Sequence, residues 1–339
     1  MRILLVSLIV LSFLSCNNSG DEDNKPNLAN DSILLDSLVM GADYANDIYY
    51  NLKNGDETVV PRNNWDIGFK TNVRSSSIII NSTSGINLWE YPVEDTTKWN
   101  TLDTAGLKNT WHALVSSDTT WSLSAFEANQ KGHPDYGWGE YNSITHDVNG
   151  NSLFVIQLQD GSYKKIIIKK REASTNTYYF KYGNLDGSST LEKTVKCSDY
   201  PKKNFVYYSM SLNKLVDREP DMDKWDLLLT RYIAMIPMGP GAPVPYPVVG
   251  FLQNEGVLVA KMSGDTASNN YSASVFKTGM NTIGYNWKKQ VSQTSTDYII
   301  TPDTYYFIKT KDNSTVKLLF KKFESSPKSK VVFERKILK

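Results

Sequence analysis

One phrase of this sequence is written twice. "NNWDIGFKTN" runs from Asn63 to Asn72 and "DKWDLLLTRY" from Asp223 to Tyr232, each with Trp-Asp at the head of an apolar run. Trp65 and Trp225 stand 160 residues apart. Their neighbours match as well. Upstream, "NDIYYNLKNGDETVV" and "KNFVYYSMSLNKLVD" each read as a strand around a tyrosine pair (Tyr49-Tyr50, Tyr207-Tyr208), a turn and a second strand. Asn54-Gly55 in the first is a strong hairpin signal, because both central turn positions need positive φ. Downstream, Gly85 and Gly256 each precede an apolar strand.

The ends of the repeats agree too. "SLFVIQLQDGSYKKIIIKK" (152–170) and "YYFIKTKDNSTVKLLFKK" (305–322) are both strand, Asp-Gly or Asp-Asn turn, strand. Each is followed by a last strand, "TYYFKY" and "KVVFER". Five landmarks in one order predict a duplication. The expected fold is mainly β, two tandem antiparallel domains over 40–198 and 199–339 with little helix.

The N-terminus reads as a sorting signal. "MRILLVSLIVLSFLSC" has Arg2, an apolar run from Ile3 to Leu14, and Cys16 after a small residue. A run that short is no membrane span, which takes about 20 residues. The expectation is a lipoprotein signal over 1–15, lipidation at Cys16, and a flexible acidic tether over 16–39. This places the protein at the outer membrane, lipid-anchored and facing the cell surface. An ordinary secreted protein is the alternative reading. With Cys16 acylated, Cys197 has no disulfide partner.

Composition excludes some classes. Lys plus Arg is 37 and Asp plus Glu is 36, so no basic field invites nucleic acid. No Gly-rich phosphate loop, Gly-x-Ser-x-Gly elbow or His-Glu-x-x-His is present, and the expectation is a protein without enzymatic activity. Trp89, Trp99, Trp111, Trp121 and Trp138 fall in the first repeat and read either as a sugar-stacking platform or as core. "MIPMGPGAPVPYPVVGF" (235–251), with five prolines and three glycines, reads either as an exposed loop or as a semi-rigid rim presenting Met238 and Tyr246.

The Trp-Asp strands, "GYNWKK", the "TYYFIKTKDNSTVKLLFKKF" hairpin and the closing "VVFE" strand resemble the HmuY-like family, haem-binding lipoproteins of Bacteroidetes. The resemblance covers most of 44–335 and is closest over 284–334. It implies a β fold that clasps haem between loops and performs no chemistry, with iron held by two side chains, His or Met. It also implies haem, and a haem-donor protein or outer-membrane receptor, as partners.

No motif fixes the ligands, so the residue inventory supplies them. The three histidines, His112, His133 and His146, all lie in the middle of the first repeat. Neutral imidazole suits haem iron. Trp111, Trp121, Phe126, Tyr136 and Trp138 are expected as walls and Lys131 as a rim cation, with His133 and His112 on the metal. The second repeat lacks histidine and offers Met262 and Met280. The runner-up function is a cell-surface binding protein of the same fold, for a protein or glycan, that has lost haem.

Overall fold

The computed structural model describes residues 32–338, except 94, 265–270, 272–274 and 293. The expected signal, Cys16 and most of the tether lie outside the described residues. The first half runs β1 (Ile33–Val39), β2 (Asn46–Tyr50), β3 (Glu57–Pro61), β4 (Ile67–Lys70), β5 (Ile78–Ile80), β6 (Asn87–Glu90), β7 (Ala113–Leu114), β8 (Gly139–Tyr141), β9 (Val148–Gly150), β10 (Phe154–Gln157), β11 (Tyr163–Glu172) and β12 (Thr177–Asn184). The second runs β13 (Leu191–Lys196), β14 (Phe205–Ser209), β15 (Lys214–Val216), β16 (Leu227–Ile236), β17 (Val244–Gln253), β18 (Leu258–Ser263), β19 (Lys288–Gln290), β20 (Tyr298–Ile300), β21 (Thr304–Lys309), β22 (Thr315–Glu324) and β23 (Lys330–Leu338). Every pairing among them is antiparallel, and the helical elements described are short 3₁₀ turns, so the fold is mainly β as expected.

The expected hairpins form. Gly55, Gly161 and Asn313 carry the positive φ values their turns require, at 75°, 83° and 64°. β11 and β22 share one irregularity. Each has a bulge against the following strand, between Ile168 and Lys170 and between Phe320 and Lys322, at equivalent points of the duplication.

The sheets do not divide at residue 198. β2 pairs with β16 and β14 pairs with β4, so each tyrosine-pair strand lies beside the Trp-Asp strand of the other repeat. β1 pairs with β23, the last strand described, and β13 pairs with β12. Residues 33–39, expected as tether, are therefore an edge strand. The structural repeats begin at β1 and β13. Two bodies result, one from about 62–216 and the other from 33–61 with 217–338.

Each body has its own core. The first takes Val206, Tyr208 and Met210 from β14 and its turn, around Phe126, Trp138 and Phe154. The second takes Leu38, Met40, Ile48, Tyr50 and Leu52 from the start of the chain, around Trp287 and Phe320, whose rings stack 4.0 Å apart. Burying one large apolar side chain stabilises by roughly 1.5–3 kcal/mol, so five such residues anchor the exchange firmly. The five tryptophans resolve as packing: Trp89, Trp99, Trp111 and Trp138 are buried, and Trp121 packs against the residues between the bodies.

The Pro-rich stretch is a hairpin. β16 and β17 pair over ten residues, with 237–243 as the tip. Phe251 exchanges both backbone hydrogen bonds with Gly284, which fixes the odd positions of β17 as facing away from β16. Pro245 and Pro247 share that parity, so their missing N–H groups cost no bond to β16.

Candidate functional site

Two of the three histidines meet at one tyrosine. Tyr141 ends β8, and both rings stand against it: His133 with centroids 5.2 Å apart, His146 at 5.9 Å. Tyr136 completes the group, 5.9 Å from Tyr141. Tyr141 Oη lies 2.5 Å from His146 Nδ1. When Nδ1–H donates to the phenol oxygen, Nε2 keeps its lone pair free.

The local chain positions these groups. β8 pairs with β9, and β9 with the far end of β11, where Arg171 and Val148 are cross-strand partners. The turn between β8 and β9 is held by Asn142, whose side-chain oxygen accepts from the amides of Ile144 and Thr145 at 2.9 and 3.0 Å. That turn sets His146 at φ 61°, a conformation His tolerates better than most residues.

Two adjacent clefts open at this corner. One, of about 320 Å³, is lined by Val73, Arg74, Tyr136, Tyr141, His146 and Arg171 among others. The other, of about 220 Å³, shares Arg74, Ser75, Ser76 and Tyr136 and reaches Leu123 and Glu127. Arg171 is buried. Its Nη2 donates to Val73 O at 2.6 Å and Asn176 Oδ1 at 2.9 Å, while its Nε has no protein partner. Val73 and Leu123 on the cleft walls and Ile144 in the His146 turn are exposed apolar side chains.

Glu127 lies on the floor of the second cleft and is fully enclosed. Burial pushes its carboxyl up to about 8, against the pull of hydrogen bonds from the Ile78 and Ser124 amides and the Ser77 hydroxyl. Its place in a capping box, Ser124 to Glu127, assigns it to structure.

The other expected ligands lie elsewhere. His112 is exposed beside β7, the edge strand that pairs with β6, and lines neither cleft. Met262 sits on β18 of the second body, opposite Tyr305. Met280 is buried with Tyr49, Trp225, Leu228 and Leu252 between the bodies. Of the expected walls, only Tyr136 belongs to the corner; Phe126 and Trp138 are core. Among the described residues no group of three or more His, Cys, Asp or Glu gathers as a metal site. Cys197 is free and buried, its thiol pushed up to about 12 by burial. Sequence reading missed Tyr141, Arg74 and Arg171. Arg171 sits in "KKREAS", where nothing separates a buried arginine from the solvated lysines beside it.

Fold and corner together define a mainly β protein of two strand-exchanged bodies, with an open cleft walled by tyrosine, histidine and arginine. No family model matches the chain, and no curated protein matches it. Among solved structures, that of apo PinO from Porphyromonas gingivitis aligns with 91% of this chain and 98% of its own, at 12% identity and a TM-score of 0.28. A TM-score of that size does not establish a common fold.

Proposed function

We propose that this protein is a non-catalytic, lipid-anchored surface protein that captures haem at the Tyr141 corner. The observation that carries the reading is the placement of His133 and His146 on one tyrosine beside two joined clefts. The residues fit the group. A flat apolar ring needs apolar and aromatic walls, which Val73, Tyr136 and Tyr141 supply. Its carboxylates need cations, which Arg74 and Arg171 on the cleft lining supply. His146, oriented through Nδ1 by Tyr141, would hold the iron. His133, on the same tyrosine, would be the second side chain to reach it. The bound group supplies an iron centre to be carried; the chain's own residues bind, orient and release it.

The test is a haemin titration of the purified protein followed by absorption spectroscopy. A sharpened, shifted Soret band with one-to-one saturation is expected, weakened by His146→Ala, His133→Ala and Tyr141→Phe and unchanged by His112→Ala. A broad band equal to that with an unrelated protein rejects the reading. The runner-up would then stand, and the hairpin tip favours it. Residues 234–252 contain no charged side chain, and Met238 and Tyr246 are exposed there, a surface suited to a protein or glycan partner.

A further inference from the structure

β1 is an edge without the protection the other long edges have. It closes one side of its five-stranded sheet, paired with β23 and with no other strand. Met40, just past its end, donates its amide to Ser329 O, which fixes the even positions of β1 as bonded to β23. The amides and carbonyls of Ile33, Leu35, Ser37 and Val39 therefore point to the open side, where they meet no strand among the described residues. The side chains of the same residues stand on the outer face. Ile33, Leu35 and Val39 are 65%, 68% and 49% exposed, whereas Leu38 on the other face enters the core.

An open strand edge is a template for pairing with another chain, and proteins blunt such edges. Edge β17 has Pro245 and Pro247 at outward positions. Edge β18 is met by Lys277, which exchanges both backbone hydrogen bonds with Val259. Edge β13 carries Glu192, Lys193 and Lys196. β1 has seven residues, with no proline, glycine or lysine among them and one charge. That charge, Asp36, turns inward to Arg335 at 2.6 Å. The open side of β1 is therefore apolar, uncharged and ready to pair.

The strand that fits must be extended, and apolar and uncharged on one face. Residues 17–31, which lead into β1, contain Pro26, four acidic side chains and one large apolar one, Leu28, and do not match. A second copy of β1 does. An antiparallel pair centred on Ser37 sets odd residues against odd residues, so the outward amides of 35–39 meet outward carbonyls. It puts Leu35 of each copy beside Val39 of the other, and Asp36 beside Leu38 rather than beside a second Asp36. We propose that two copies of this chain associate through β1, antiparallel about Ser37, joining two five-stranded sheets into one. The two-fold axis uses each open edge once, so association stops at the dimer. One strand per copy is a small interface, and the dimer depends on concentration. Residues 33–39 line neither cleft at the Tyr141 corner, so association is independent of haem.

Sedimentation equilibrium of the purified protein over a concentration series tests this, with Cys16→Ser in every sample so that buried Cys197 is the one thiol left. The measured mass should rise from one chain toward two and no further. Ser37→Pro removes an outward N–H and no bond to β23, and Leu35→Lys puts a charge on an exposed position. Each should weaken association about tenfold or more. Both should melt with the parent, so a loss of association is not a loss of fold. His146→Ala should associate as the parent does. Ser37→Cys reads the register, because a hydrogen-bonded antiparallel pair holds its Cα atoms about 5.5 Å apart, within the span of a disulfide. Oxidation should link Ser37→Cys into a covalent dimer and should fail to do so when Leu35→Lys is added. A mass that stays at one chain throughout, growth beyond two copies, association unchanged in both Ser37→Pro and Leu35→Lys, or no covalent dimer of Ser37→Cys overturns the proposal.

Discussion

Asp66 and Asp226 do the same thing to opposite halves of the chain. Asp66 Oδ2 accepts from the Met210 amide at 2.6 Å, and Asp226 Oδ2 from the Leu52 amide at 2.8 Å. Met210 and Leu52 each stand two residues past a tyrosine pair, so each aspartate clips the turn that follows the strand borrowed from the other repeat. The backbone repeats the relation: Asp66 N donates to Tyr208 O and Asp226 N to Tyr50 O. Asn81 and Asn254 then fix the preceding tryptophans, donating to Trp65 O at 3.0 Å and Trp225 O at 2.8 Å. The doubled Trp-Asp is the clasp of an exchange.

Removing either clasp should therefore destabilise without changing the fold. Asp66→Ala and Asp226→Ala each leave a buried amide unpaired, which costs about 1–3 kcal/mol. Their partners differ, so the double variant should lose nearly the sum. Urea melts of the four proteins read this directly. A loss below about 0.5 kcal/mol in both single variants, the scale of an ordinary surface change, would mean that the two aspartates do not hold the exchange.

The strand exchange relocates the cut that yields a folded piece. A fragment of 62–216 should melt cooperatively, because it contains a whole core and its borrowed strand. The fragment 40–198 lacks β14 and should not. Circular dichroism melts compare the two, and a cooperative transition in 40–198 matching that of 62–216 would contradict the boundary.

Glu127 should give stability a pH slope. Its folded-state proton affinity is raised from the ordinary carboxylate range to about 8, so the folded protein holds a proton that the unfolded chain has already lost. The contribution is complete below the unfolded value and is lost as pH rises through 8. Glu127→Gln stays neutral throughout. Between pH 5 and pH 8 the parent should lose at least about 1 kcal/mol relative to the variant, since a tenfold change in proton affinity corresponds to about 1.4 kcal/mol. Denaturant melts at the two pH values measure the difference, and one that stays constant across that range would place the titration elsewhere.

The Asp47–Arg218 pair should be expensive to break from one side. Arg218 donates to Asp47 and to Tyr49 Oη, and Thr230 Oγ donates to Asp47, all between the bodies. Asp47→Ala strands a buried guanidinium and should cost about 3–5 kcal/mol. Replacing both charges, Asp47→Leu with Arg218→Met, should recover most of that. Chemical denaturation of the three proteins distinguishes the outcomes; a double variant as unstable as Asp47→Ala would mean that the pair contributes more than charge balance.

Strand content, the hairpin turns and the duplication were legible because each is written locally. Asn54-Gly55 needs positive φ, and "KKIIIKK" is a short apolar run that follows an Asp-Gly turn, whatever the rest of the chain does. The exchange was not legible. Tyr49-Tyr50 and Tyr207-Tyr208 present the same apolar face to either Trp-Asp strand, so no local pattern says which partner wins. The end of the expected tether hid β1 for a related reason: Ile33, Leu35 and Val39 are exposed on an edge, and "ILLDSLV" becomes a strand only through β23. At the corner, the sequence shows only that the histidines share the middle of the first repeat. The pairing of His133 with His146 depends on the β8–β9 turn, which brings residues 13 apart onto one ring.

The pairing of β1 with β23 ties the first described strand to the last, 291 residues apart at their closest ends. During synthesis the first body has all its strands once the chain has passed β15, whereas the second must wait for β23. Its opening segment, with Leu38, Ile48 and Tyr50, stays without a core to enter until then. β1 and β23 are thus one point of vulnerability. A nick that removes β23 strands β1 as well, and the part of the molecule nearest the N-terminal segment is the part finished last.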